Sequence, residues 1–306
     1  MVSQKTLDRR GWGALLLLGV IWGGSFLSIR IALDEVGPLT SVAHRTFWAM
    51  VILWAVVGVR RLPLPRDAQT WGAFVVMGLL NNVIPFGLMA WGQLYVETGL
   101  TSILNAATAI FGVLVAALFF TDERVTPRKA VGVSLGFLGV ATAIGLEQFR
   151  SFDLRSLAQI AILAGTLSYA LAGSFARATL SHLSPQVAAA GMLTGASLIT
   201  VPLAWSVEGP ITLALEADTL LAIGYYAIIA TALAYLLYYR VLAMAGSGNL
   251  MLVTLVIPPV AIVLGAVVRQ EALGSNAFIG FALLTLGLLI LNGRIWPSVD
   301  RIAPHR

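Results

Sequence analysis

The side chains with the most chemistry to offer lie inside long uncharged stretches of this sequence: Asn81 and Asn82, Trp91, Asn105, Tyr169, and then Tyr225, Tyr235 and Tyr239. Amides do not titrate and phenols ionise only near pH ~10, so this set recognises by hydrogen bonding and stacking rather than by proton transfer. An Asn left unpaired in hydrocarbon is costly, which turns Asn81, Asn82 and Asn105 toward an interior shared by several helices. Tyr225 and Tyr235 are ten residues apart, about 15 Å along a helix, enough to line one wall of a cavity. Trp91 and Tyr239 lie near span boundaries, where an interfacial belt competes with a place on a pathway. Arg45 stands one turn inside a span, close to His44, where it either braces a gate or meets a carboxylate. Pro258-Pro259 interrupts another span, removes two backbone donors and is expected to kink it as a hinge.

Catalytic constellations are missing. There is no Gly-Lys-Ser/Thr phosphate loop and no His-Glu-x-x-His pair. With Cys absent, there is no thiolate nucleophile, disulfide framework or Cys-based metal site. A hydrolase built on Ser25 would need an embedded His or Lys, yet His44 alone lies near a span, with His182 in a loop and His305 in the tail. Neither an enzyme nor a cofactor is expected.

The elements that position these residues follow from composition. Of 306 residues, 58% are hydrophobic and 11% charged, and the mean hydropathy is +0.90. Soluble domains carry roughly a quarter charged residues. Uncharged stretches recur at 11–29, 46–59, 68–96, 98–121, 130–146, 156–176, 183–207, 219–239, 241–268 and 272–293, most of them reaching the roughly 17–25 residues that cross a bilayer core as a helix. Arg45 shortens the second, whose helix begins near Leu39. Gly246-Ser247-Gly248 marks a connection before the ninth. The apolar run after Lys5, Arg9 and Arg10 has no small-x-small cleavage site and reads as a retained first helix.

With the N-terminus cytoplasmic, 14 of the 19 Lys and Arg fall on the cytoplasmic side, against Arg30, Arg45, Arg150, Arg155 and Arg269 on the other. The bias places both termini in the cytoplasm of a multi-pass inner-membrane protein. The net charge of +5 is scattered over connectors without a basic stripe, so a lipid bilayer and not nucleic acid is the expected partner.

Glu123 is followed by Gly132, Gly139 and Gly145, and Glu271 by Gly280, Gly287 and Gly293, all at an offset of 148. Gly24-Ser25-Phe26 matches Gly173-Ser174-Phe175 at 149, and Pro38 matches Pro185 at 147. Five helices per unit is odd, so the second copy is inverted in the membrane, as in many secondary transporters. The expected fold is all-α integral membrane: ten transmembrane helices as two inverted five-helix repeats, 1–147 and 148–297, around a central cavity, with a cytoplasmic tail at 298–306.

The Glu-then-Gly ends of helices four and nine, Trp22-Gly-Gly-Ser-Phe26 and Pro38-Leu-Thr-Ser-Val-Ala-His-Arg45 resemble the EamA-type carriers of the drug/metabolite transporter superfamily, most of all bacterial exporters of amino acids, aromatic ones included. The spans hold no interior Asp or Glu, so the acidic residue that small multidrug antiporters of that superfamily carry in helix one has no counterpart. The resemblance implies a monomeric carrier exporting small organic solutes, amino acids first, by alternating access. Walls rich in Tyr, Trp, Met and Leu suit a zwitterion with an apolar side chain. Facilitated movement and proton coupling both stay open, as do a sugar or nucleotide-derived metabolite and a membrane-embedded lipid-modifying enzyme or scaffold.

Overall fold

Proline and short polar caps start the helices. Pro38, Pro127 and Pro185 open three of them at the position where a missing N–H costs nothing. Side chains of Asp67 and Asp153 accept from the backbone N–H of Thr70 and Ser156 and open two more, and Thr126 accepts from Lys129 N to cap the Pro127 helix as well. The computed structural model describes residues 9–121, 126–145, 153–250 and 252–295, without the side chains of 243 and 245–249. Glu123 and the tail at 298–306 lie outside the described residues.

Among these residues the chain forms ten helices. They are α1 (Arg9–Ala32), α2 (Pro38–Val59), α3 (Ala68–Gly92), α4 (Thr98–Phe119), α5 (Pro127–Ile144), α6 (Leu154–Thr179) and α7 (Pro185–Glu208). Then come α8, in three contiguous parts (Ala217–Gly224, Tyr225–Leu233 and Ala234–Leu250), α9 (Val253–Arg269) and α10 (Ser275–Leu291). Seven are long and apolar enough to cross a membrane by themselves. The others, α5, α9 and α10, have 17 or 18 residues, about 26 Å of helix. Leu118, Val267 and Leu221 are 82, 75 and 72% exposed, an outward apolar surface that suits lipid.

The packing exchanges the two halves. α5 lies on α10, α2 on α7 and α4 on α9; α1 meets α9 as α6 meets α4, and α3 meets α7 and α6 as α8 meets α2 and α1. Each contact maps onto itself or another when a helix is replaced by the one five later. The glycines at offset 148 explain the first pairing. A Cβ on Gly139 would sit 2.5 Å from Leu284 N and 2.7 Å from Gly280 O, and one on Gly287 2.6 Å from Gly132 O. Only hydrogen at these positions lets the two backbones touch. Gly145 and Gly293 have φ of +90° and +67° and end α5 and α10 in a conformation that L side chains resist.

The irregularities fall elsewhere than Pro258-Pro259. α9 is continuous through both prolines, with Pro258 buried and Pro259 exposed. Helical backbone also runs through Gly246-Ser247-Gly248 to Leu250, where a connection was expected; a helix keeps amides bonded where water is scarce. The real departures are a π-helical segment in α3, Leu79–Val83, a longer one in α8, Tyr225–Leu233, and a break in α4 at Ala106-Ala107. The two π segments occupy equivalent places in the two repeats.

Candidate functional site

A π-helical turn leaves carbonyls out of the regular i→i−4 ladder, and side chains take them up. Ser168 Oγ of α6 donates to Leu80 O at 2.6 Å, and Trp22 Nε1 of α1 donates to Ala230 O at 3.1 Å. Thr231 Oγ1 donates back to Tyr226 O at 2.7 Å, which turns its lone pairs toward α2. There it accepts from Arg45 Nε at 2.9 Å.

Arg45 is therefore a buried cation held from two sides. Its guanidinium lies 3.8 Å from the centroid of the Phe86 ring, and Phe86 stands edge-on to Tyr169 at 6.3 Å. Tyr169, Tyr226 and Tyr235 are its electrostatic neighbours. Only 9% of the residue is exposed, so it does not reach out to the interface. Thr231 is fourteen residues from the start of α8 and Tyr169 fifteen from the start of α6, roughly 20 Å into the bundle. Among the described residues no carboxylate pairs with it. A positive charge thus stands among aromatic side chains inside the bundle.

Tyr235 ties the first π segment to this cation. Its hydroxyl accepts from Asn81 Nδ2 at 3.3 Å and from Asn82 Nδ2 at 3.4 Å. With both lone pairs engaged, its O–H remains to donate. Asn81 Nδ2 also reaches Met192 Sδ on α7 at 3.3 Å. Asn82 is fully buried, and its Oδ1 has no partner. Such an orphaned buried acceptor calls for a water, an ion or a ligand group to meet it.

The sequence candidates therefore divide. Arg45, Asn81, Asn82, Tyr169 and Tyr235 come together. Tyr225 turns away: its hydroxyl donates to Ile21 O at 3.1 Å, and a Cβ on Gly24 would sit 2.5 Å from that oxygen. It lines a cleft of about 580 Å³ with Ser28, Asp34, Glu216 and Arg269. Tyr239 lines one of about 590 Å³ at the opposite end with Arg60, Gln186 and Arg240. Trp91 packs against Tyr95 near the end of α3, with ring centroids 5.4 Å apart. Asn105 stands at the α4 break, where its carbonyl accepts from Thr108 Oγ1 at 2.8 Å. Pro258 and Pro259 lie in α9, beside α1.

Besides Phe86, which sequence reading passed over, the site takes in Tyr226 and Thr231, two further polar residues of the eighth span. Tyr226 is fully buried, accepting from Ser41 Oγ at 3.1 Å and donating to Ser41 O at 3.3 Å. Thr231 and Phe86 hold the guanidinium itself. Thr231 stands 186 positions from Arg45, and nothing local in the sequence marks that contact. Glu208, from the end of α7, fixes the α2 start by accepting from Leu39 N at 2.9 Å and Thr40 N at 2.8 Å, in space that Gly37 leaves open.

The end of the bundle nearest Arg45 is laced by ion pairs. Asp34 accepts from Arg30 Nη1 at 2.8 Å and from Arg269 of α9, and Glu97 accepts from Arg155 Nη2 at 2.6 Å and Nη1 at 3.0 Å. Glu271 caps α4 through Thr98 N at 2.9 Å and Thr98 Oγ1 at 2.8 Å. Loop carboxylates here are occupied with arginines and helix N-termini.

Comparison with known proteins agrees with this architecture. A solved crystal structure superposes with a TM-score of 0.67 at 16% identity, covering 93% of this chain and 96% of that one, which shows a shared fold. A protein of Streptantibioticus cattleyicolor named "Probable terminal-alkyne amino-acid exporter" is 27% identical, with 94% of this chain and 95% of that one covered. A protein of Escherichia coli named "Probable amino-acid metabolite efflux pump" is 24% identical, with 93 and 95% covered. A Bacillus subtilis protein named as the uncharacterized transporter YoaV is 20% identical, with 90 and 94% covered. The model of the EamA-like transporter family matches twice, over residues 9–145 and 156–293. Two matches that take in nearly all of both five-helix units mean that this membrane protein belongs to the EamA-like transporter family.

Proposed function

We propose that the chain is an alternating-access carrier that exports amino acids, or solutes made from them, with an aromatic or other apolar side chain. Arg45 carries this reading: a cation without an acidic partner, set between the π segments of the two repeats. Burying an arginine at this depth costs several kcal/mol or more, a cost that a bound carboxylate offsets through a bidentate pair. Phe86, Tyr169 and Met192 around it suit an apolar side chain. The names of two relatives support the same class of solute. The units 1–147 and 148–297 rock about this point, and Arg45, Asn81, Asn82, Tyr169 and Tyr235 make the site. Trp91, Asn105, Tyr225 and Tyr239 lie along the route to it, and Pro258-Pro259 flexes beside it. Both termini are cytoplasmic and the carrier works as a monomer.

The test is counterflow in proteoliposomes with labelled amino acids, sugars and cationic dyes, with and without a pH gradient. Saturable exchange of apolar amino acids or their derivatives is the expected result; no saturable flux of any solute sinks the carrier reading. Single cysteines in this Cys-free chain are expected to label from the cytoplasm at position 123 and from outside at 271. Labelling from one side breaks the inverted repeat.

A further inference from the structure

Arg45 brings a positive charge and spare donors to a site without a described anion. Nε is used by Thr231, while neither Nη1 nor Nη2 makes a hydrogen bond to a described residue. Tyr235 keeps its O–H because its lone pairs are taken by Asn81 and Asn82. The Tyr169 hydroxyl has no hydrogen-bond partner among the described residues. The acceptors that remain are all uncharged: the lone pairs of the Tyr169 hydroxyl, the fully buried Asn82 Oδ1 and the less buried Asn81 Oδ1, with no described carboxylate among them. Turning either amide over exchanges one uncharged donor for one uncharged acceptor and leaves the charge of the site unchanged.

We infer that the solute recognised here is a monoanion: a carboxylate with an apolar body whose neighbouring substituent is an uncharged donor, as in an N-acylated amino acid or a 2-hydroxy acid. A carboxylate brings four lone-pair positions for the Nη groups and phenols, and its single charge cancels that of Arg45. An amide N–H or a hydroxyl brings one proton, which Asn82 Oδ1 accepts. A free ammonium brings three protons and a second positive charge into a buried site without an anion to meet it. A zwitterion leaves the loaded site at +1; a monoanion leaves it neutral. This refines the proposed function and rests on the same placement of Arg45, but it separates the charge forms that the broader reading joins.

The test is counterflow by the full chain in proteoliposomes at neutral pH with labelled phenylalanine, N-acetylphenylalanine and 3-phenyllactate, with protein-free vesicles subtracted. The two anions are expected to exchange about tenfold or more faster than phenylalanine. Arg45→Gln is expected to erase that ratio, and Arg45→Lys, which keeps the charge but loses the planar fork, to retain part of it. The ratio between solutes is insensitive to how much protein folds. Phenylalanine moving as fast as its N-acetyl form, or a ratio unchanged in Arg45→Gln, overturns the inference while leaving the carrier reading in place. If no solute moves, thermal protection of the detergent-solubilised chain by N-acetylphenylalanine decides. Protection lost in Arg45→Gln upholds the anion site and removes the carrier reading; absence of protection removes both.

Discussion

The two repeats build one scaffold and furnish it differently. α3 and α8 carry π segments at equivalent places, but the first presents Asn81 and Asn82 and the second Tyr226 and Thr231. At the offset of 147 that pairs Pro38 with Pro185, Arg45 falls on Met192. A cation in one repeat thus has a thioether as its counterpart in the other, and Asn81 Nδ2 touches that thioether at 3.3 Å. The inverted duplication supplies two interchangeable supports, while the site itself is one-sided. Architecture is shared where backbone meets backbone, and chemistry diverges where side chains meet in the middle.

The largest effect is expected from undoing that divergence. Arg45→Met makes the pair symmetric and removes the charge, and saturable flux of a carboxylate solute should fall about 100-fold. Met192→Arg makes it symmetric the other way, adding a second cation without an acid, and should lower stability by about 3–5 kcal/mol. Counterflow reads the first and thermal unfolding in detergent the second. Normal flux in Arg45→Met means that the one-sidedness is incidental.

The next effect tests the shared scaffold. Gly139 and Gly287 are mates at offset 148, and a Cβ on either meets the partner helix's backbone within 2.6 Å. Backbone cannot rotate aside as a side chain does, so Gly139→Ala and Gly287→Ala should each cost about 1–3 kcal/mol, and by similar amounts. Gly58, with nothing within 4 Å of its would-be Cβ, serves as the neutral control. Unequal losses at the two mates mean that symmetry of form is not symmetry of energy.

This division also explains what was legible in the sequence. The ten helices and the register of Gly132, Gly139, Gly280 and Gly287 depend on hydrophobic length and on close backbone approach, both of which leave a mark on residue types. The π segments leave none: moving from i→i−4 to i→i−5 bonding depends on which distant side chain, Ser168 or Trp22, takes up the freed carbonyl. That shift of phase decides which of two adjacent tyrosines faces the centre. Tyr225 was expected inside, yet Tyr226 is the buried one. Arg45 was legible as an in-membrane charge, but its burial rests on Thr231 and Phe86, 186 and 41 positions away.

A smaller effect separates two carboxylate caps. Glu208 fixes the start of α2, which carries Arg45, whereas Glu271 fixes the start of α4, which does not. Replacing either by Ala should cost about 1–2 kcal/mol of stability. Only Glu208→Ala should also raise the half-saturation concentration for a carboxylate solute, because α2 alone transmits the disturbance to Arg45. Equal half-saturation in both variants would detach the α2 start from the site.

The smallest effect lies at the ends of α1 and α6, where Arg30 and Arg177 are used unlike one another. Arg30 joins Arg269 on Asp34, while the Arg177 guanidinium lies 4.1 Å from the centroid of Phe120, just past the end of α4. The Asp34 carboxyl is partly buried, which alone raises its pKa, but hydrogen bonds and charge from Arg269 and Arg30 more than offset this and hold it below the ordinary value. A depressed folded-state pKa stabilises the fold above the unfolded value near ~4 and loses that contribution as pH falls through the depressed one. Asp34 is about half exposed, so the contribution should be at most about 1 kcal/mol and should weaken in salt. Asp34→Asn is therefore expected to lower the melting temperature slightly at neutral pH and low salt, and to flatten its decline toward acid. Phe120→Leu, which removes only a ring face, should show no such pH or salt dependence. A Phe120 variant as sensitive to salt as the Asp34 one would mean that both ends are held by charge, and the contrast between the repeats would then be confined to the centre.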